Sequence, residues 1–144
     1  MNFKERYSKV CQDFPDAGDR FENTIKAIYS AILKPGSVAM DCGAHIGKHT
    51  LPLGRIVGPT GQVYAFEPIL EKFKRLTDNI THHGLTWVQA FNVCCLDENK
   101  TVTFTYMPTD PGKSSIHVRK GLEHKPIEKI RTLCLAMSLD DFFS

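Results

Sequence analysis

Val38-Ala39-Met40-Asp41-Cys42-Gly43-Ala44-His45-Ile46-Gly47 decides how this chain of 144 residues folds. The apolar run from Ser37 to Cys42 has the length and composition of a buried strand. Gly43 to Gly47 reads as a tight turn, and Lys48 to Ile56 as a helix. Pro52 falls in the first turns of that helix, where proline is tolerated. With no Cβ, Gly43 lets a ligand approach the backbone and lets the turn use positive φ. Gly47 would let the helix pack close to the strand. A helix N-terminus here would offer N–H groups to a polar or negative ligand.

The same alternation extends on both sides. Phe21, Ile25, Ile28, Tyr29 and Ile32 recur at helical spacing, so residues 20–34 read as an amphipathic helix, stopped by Lys34-Pro35-Gly36. Gly58-Pro59-Thr60-Gly61 is a turn, and Gln62 to Glu67 is a second strand rich in strand formers. After Pro68, the residues Leu70, Phe73, Leu76 and Ile80 mark another helix, ending near His83-Gly84. Thr86 to Val93 is a third strand. This βαβαβ order predicts a parallel sheet covered by helices.

Glu67 lies at the end of the second strand, 20 residues after Gly47. In dinucleotide-type folds that is the place of an acid that bonds ribose hydroxyls. A carboxylate is acceptor-only and takes two such bonds at once. Gly43 to Lys48 is not a phosphate-binding P-loop: it has three residues between the glycines where four are needed, and His49 follows the lysine. The NAD fingerprint wants glycine where His45 stands, so a nicotinamide cofactor fits poorly.

Composition narrows the field. Hydrophobic residues make up 42% and charged residues 24%, as in ordinary globular domains. Lys and Arg number 18 against 16 Asp and Glu, a net charge of +2. That gives no footprint for a nucleic-acid partner and none for an anionic membrane surface. No apolar run approaches the roughly 20 residues of a membrane span. The start, Met1-Asn2-Phe3-Lys4-Glu5-Arg6, is no secretory signal. Cys11, Cys42, Cys94, Cys95 and Cys134 are irregularly spaced, which predicts free thiols in a cytoplasmic protein and no metal site. Cys94 and Cys95, adjacent in a strand, should point to opposite faces.

The last third is less regular. Thr101 to Tyr106 alternates, with Val102, Phe104 and Tyr106 on one face, as in a half-exposed strand. Lys113, Arg119, Lys120, Lys125, Lys129 and Arg131 read as a solvated basic loop, and Ile130 to Leu135 as a strand. Ser138 and Asp141 mark a helix start with Ser138 as its cap. Residues 1–34 are expected to be an N-terminal helical segment, and residues 35–144 the ligand-binding domain.

The stretches Asp41-Cys42-Gly43-Ala44-His45-Ile46-Gly47-Lys48-His49-Thr50 and Val63-Tyr64-Ala65-Phe66-Glu67-Pro68 resemble the first two motifs of the FkbM-type methyltransferases. These are class I enzymes that use S-adenosyl-L-methionine (SAM). Asn79-Ile80, Asp97, Gly112-Lys113-Ser114-Ser115 and Leu139-Asp140-Asp141 follow in the family's order, so the resemblance runs from about Pro35 to Phe143. It implies a Rossmann-like α/β fold with SAM as cofactor. Asp41 would meet the amino group, and Gly43, Ala44, His45 and Gly47 would line the methionine part. Glu67 would hold the ribose, and Asn92, Val93 and Cys94 would flank the adenine. Thr50 would cap or line the turn. The activity implied is O-methylation of a small-molecule or sugar hydroxyl.

In the family, a further strand ending in Asp-x-Glu-Gly follows the Leu-Asp-Asp segment and pairs with the free edge of the first strand. This sequence does not contain it, so the domain is expected to be truncated before its fourth core strand. An open edge at Ser37 to Cys42 then predicts marginal stability, a homodimer, or a missing C-terminal half that covers it. The competing reading is a truncated or vestigial SAM-binding module without turnover of its own. No catalytic residue is assigned.

Overall fold

The computed structural model describes residues 17–108 and 128–144. Cys11, the Gly112–Ser115 turn and the basic stretch from Lys113 to Lys125 lie outside the described residues. The elements run α1 (Ala17–Ile32), β1 (Val38–Cys42), α2 (Thr50–Val57), β2 (Gln62–Phe66), α3 (Leu70–His82), β3 (Val88–Phe91), β4 (Cys94–Leu96), β5 (Lys100–Tyr106), β6 (Ile130–Ser138) and α4 (Leu139–Phe142).

The fold is Rossmann-like α/β. The first three strands form one parallel sheet in the order β1-β2-β3. Its register runs from Val38 opposite Gln62 to Cys42 opposite Phe66, and from Val63 opposite Val88 to Phe66 opposite Phe91. α2 and α3 are the crossovers. Alternation along each strand sorts side chains onto the two faces. Val63, Ala65 and Val88 meet Leu53 and Val57 of α2, Leu76 and Ile80 of α3, and Leu85 in one core. Tyr29 and Leu33 bring α1 against that core, and Trp87 also packs there. Trp87 Nε1 donates to the Gly54 carbonyl at 2.7 Å.

On the other face lie Tyr64, Phe66 and Phe91, against Phe142 and Phe143 at the end of the chain. Phe142 stands edge-on to Phe66 and Phe91, with ring centroids 5.3 and 5.0 Å away. Phe143 stands edge-on to Tyr64 at 5.2 Å. Aromatic contacts of this geometry add to plain apolar burial. They anchor α4, a single turn too short to persist alone. Its Ser138 cap is formed, with Oγ accepting from the Asp141 N–H at 3.4 Å.

Thr86 to Val93 is not one strand. β3 ends at Phe91, and β4 starts at Cys94 in a different sheet. The reason is Asn92, whose amide donates to the Glu67 carbonyl at 2.8 Å and the Pro68 carbonyl at 3.1 Å. Those bonds hold the chain at the end of β2 and turn it off the first sheet. The second sheet has the order β4-β6-β5. β4 pairs with β6 in parallel, Cys94 opposite Ala136, and β5 pairs with β6 antiparallel, from Lys100 opposite Ala136 to Tyr106 opposite Ile130. Val102, Phe104 and Tyr106 face one way, into a second core with Ile69, Cys94, Cys134 and Ala136. β6 also extends past Leu135 to Ser138, because β4 and β5 both pair along it.

Among the described residues, β1 is an edge strand. Val38 is 63% exposed and Met40 48% exposed. Both belong to the face that carries Tyr64 and Phe66.

Candidate functional site

Parallel strands bring their C-terminal ends to one side of a sheet, and ligands of such folds bind there. A cavity of about 620 Å³ opens at that place, between the ends of β1 and β2 and the second sheet. Its size is in the range of small-molecule and cofactor sites. Of the ten expected site residues, Asp41, Gly43, Ala44, His45, Glu67, Val93 and Cys94 line it. Gly47, Thr50 and Asn92 stand behind the lining.

Glu67 follows directly on β2 and is only 3% exposed. One carboxylate oxygen accepts from the His45 N–H and the other from the Ile69 N–H, both at 2.8 Å. Burial pushes its pKa up, against the pull of those two donors. Each oxygen keeps a second lone pair that a ligand hydroxyl can reach. Asp41, on β1, accepts from the Thr50 hydroxyl at 2.5 Å. Burial raises its pKa too, opposed by the Thr50 bonds. Thr50 is fully buried, so it acts on the cavity by orienting Asp41.

The turn between these carboxylates differs from the expectation in three respects. The helix begins at Thr50, not Lys48. The N–H groups of Gly43 and Ala44 both donate to the Phe66 carbonyl, at 2.9 and 3.0 Å, and that of His45 is taken by Glu67. The turn therefore does not present these donors to a ligand; it spends them tying β1 to β2. Gly47, at φ +100°, makes its close approach to α3 rather than to the strand: a Cβ there would lie 3.1 Å from Leu76 Cδ1. Gly43 behaves as expected, with φ +85° and open space where a Cβ would sit.

His45 and His49 do not share a helix face. His45 lies in the turn at φ +53°, a conformation uncommon for non-glycine residues and enriched at functional loops. Its Nε2 is buried without a hydrogen-bond partner. Burial, with Lys72 and Arg75 nearby, pushes its pKa down, so the ring is neutral near pH 7. His49 is bonded on both nitrogens, Nε2 to Glu22 at 2.8 Å and Nδ1 to the Tyr29 hydroxyl at 3.4 Å. Burial opposes the Glu22 charge, but Lys48 and His49 outweigh it and hold that carboxyl below its usual range. No group of three or more His, Cys, Asp or Glu side chains is gathered for a metal ion among the described residues.

The chain is similar to methyltransferases. It is 31% identical over 81 residues to Methyltransferase 1 of Beauveria bassiana, a match spanning 56% of this chain and 32% of that protein. The chain thus aligns with about a third of the length of that relative. A SAM-dependent methyltransferase from Aquifex aeolicus is 27% identical, with a TM-score of 0.44 over 59% of this chain and 45% of that one. A SAM-dependent O-methyltransferase from Thermotoga maritima is 30% identical, with a TM-score of 0.43 over 46% of this chain and 26% of that one. No family model matches, so nothing here singles out the FkbM subfamily.

Among the lining residues, Glu22, Ile69 and Phe104 were not read from the sequence as ligand contacts, nor were Cys42 and His49 beside them. Phe104 was marked by its alternation, but only the fold shows that the inward face of β5 reaches this cavity. Glu22 carried no signal: it is one acid on an amphipathic helix.

Proposed function

We propose that this chain is the cofactor-binding part of a SAM-dependent methyltransferase. The observation that carries the reading is two carboxylates, the half-buried Asp41 and the buried Glu67, at the ends of adjacent parallel strands, lining one cavity across a glycine turn. Asp41 would take the amino group of the cofactor, held in orientation by Thr50. Gly43, Ala44 and His45 would line the methionine part, and Gly47 would keep the turn close to α3. Glu67 would accept from the ribose hydroxyls, while Val93 and Cys94 flank the adenine with Ile69 and Phe104 as apolar walls. Asn92 would serve the adenine side by fixing where β4 departs.

When bound, SAM supplies an activated methyl group for in-line transfer. The protein contributes by positioning and by excluding water. The family resemblance points to a small-molecule or sugar hydroxyl as acceptor. Such an acceptor benefits from a base near its proton, and His49 and Glu22 already satisfy each other. A base supplied by further polypeptide fits that arrangement, and so does the rival reading of a binding module without turnover.

The test is calorimetric titration of the chain with S-adenosylhomocysteine. Stoichiometric binding that weakens in Glu67→Ala supports the assignment. No binding by a folded chain refutes it.

A further inference from the structure

β4 begins where Asn92 holds the chain, beside the ends of β1 and β2, and this places four thiols near one another. Alternation along β4 divides them. Cys94 turns into the second core, where Cys134 is its neighbour. Cys95 turns the other way, toward Cys42, the last residue of β1, close enough for each thiol to perturb the ionisation of the other. Cys42 and Cys95 both line the cavity. Cys42 is exposed, so a small oxidant reaches it, while Cys94 and Cys134 are buried. Nothing in the proposed cofactor assignment uses either Cys42 or Cys95.

We propose that Cys42 and Cys95 are a peroxide-reactive thiol pair that closes to a disulfide across the cavity wall, tying β1 of the first sheet to β4 of the second. In the first step the Cys42 thiolate attacks hydrogen peroxide. An S–O bond forms, the O–O bond breaks, and hydroxide leaves with Cys42 as a sulfenic acid. In the second step the Cys95 sulfur displaces the sulfenic oxygen, and the Cys95 proton leaves with it as water. Two thiols lose two electrons in all, and one peroxide becomes two waters. A dithiol reductant reverses the link by exchange.

The neighbourhood favours this order of events. The Cys95 thiol, acting on Cys42 as donor, pulls the Cys42 pKa down to about 7, against the effect of burial. The reverse interaction, with burial, pushes Cys95 up. Burial likewise pushes Cys94 up to about 11 and raises Cys134. The thiolate is the nucleophile, so Cys42 attacks and Cys95 resolves. Whichever ligand occupies the cavity, the pair is the same.

The experiment treats the reduced full chain with stoichiometric hydrogen peroxide, blocks remaining thiols with iodoacetamide and maps the peptides by mass spectrometry. The expected product is a Cys42–Cys95 linked peptide that dithiothreitol removes. The Cys94→Ser variant should retain the link, which separates Cys95 from its neighbour. Cys95→Ser should instead leave a sulfenic acid on Cys42, trapped by dimedone. At pH 7 and without peroxide, Cys42 should alkylate at least about tenfold faster than Cys94 or Cys134. A dominant Cys94–Cys134 link overturns the proposal. So does oxidation of Cys42 to sulfinic acid while Cys95 stays free.

Discussion

Replacing Glu67 by glutamine tests the site most directly, because the side chain keeps its shape and loses one acceptor. In the parent, both carboxylate oxygens accept backbone N–H bonds at 2.8 Å, from His45 and Ile69. The amide satisfies one of these donors and turns its NH2 toward the other. A buried donor left without a partner costs about 1–3 kcal/mol. Removing a buried charge whose pKa burial has raised returns part of that. The net loss should be about 1–2 kcal/mol, which for a chain of this size lowers Tm by roughly 2–8 °C. Affinity should fall further than stability. If Glu67 holds the ribose, a hydrogen bond to a charged acceptor of about 1.5–3 kcal/mol is lost, or roughly a 10- to 150-fold rise in Kd for S-adenosylhomocysteine. A double-mutant cycle separates this from a loosened turn: the parent and Glu67→Gln are each titrated with S-adenosylhomocysteine and its 2′-deoxy analogue. The deoxy change should weaken the parent markedly and Glu67→Gln little. If the two losses simply add, Glu67 does not touch the ribose and the reasoning fails.

Thr50→Val should cost about 1.5–3 kcal/mol by stripping the half-buried Asp41 of its hydroxyl donor; an unchanged urea midpoint would contradict the role given to Thr50. Glu67 has a folded pKa above its usual 4.5, so the folded state holds that proton more tightly than the unfolded chain does. Its contribution to stability is therefore full below 4.5 and declines as pH rises through the folded value. The stability advantage of the parent over Glu67→Gln should shrink across that window, and an advantage that grows with pH would reverse the sign. Finally, the exposed edge of β1 should self-associate or need a covering strand. Sedimentation should show concentration-dependent association that Val38→Lys suppresses; a compact monomer at all concentrations would count against it.

How far the sequence spoke for the fold depends on the range over which each interaction acts. β1, β2, α2 and α3 are each specified within about a dozen residues, by an apolar run, a turn signal or a 3.6-residue period, and they were legible. So was the inward face of β5, though not the burial of Thr105 on its other side, and so was the Ser138 cap, which needs only Asp141 three residues on. The break between β3 and β4 was not. Its cause is a side chain at Asn92 bonding to carbonyls of Glu67 and Pro68, and nothing in Thr86 to Val93 itself announces a partner 25 residues away. The pairing of β4 with β6 spans more than 40 residues and has the same character.

The site divides along the same line. Asp41 and Glu67 were legible because the turn and the strand end carry their own local signatures. What the turn does with its backbone was not, because the donors of Gly43 and Ala44 are spent on Phe66 of the neighbouring strand. That changes the kind of recognition the site can perform. A glycine turn with free N–H groups at a helix start is suited to phosphate. Here the turn is tied to the end of β2, the helix begins further on at Thr50, and the cavity lining carries Asp41, Glu67 and Glu22 beside Lys48. Carboxylate acceptors of that kind favour a ligand bearing donors, such as hydroxyls or an ammonium group, over one bearing further negative charge. The two observations bear on different parts of a ligand: His45 in place of a glycine, with the turn's donors already taken, weighs against a pyrophosphate, while Glu67 offers acceptors to ribose hydroxyls whichever nucleoside carries them.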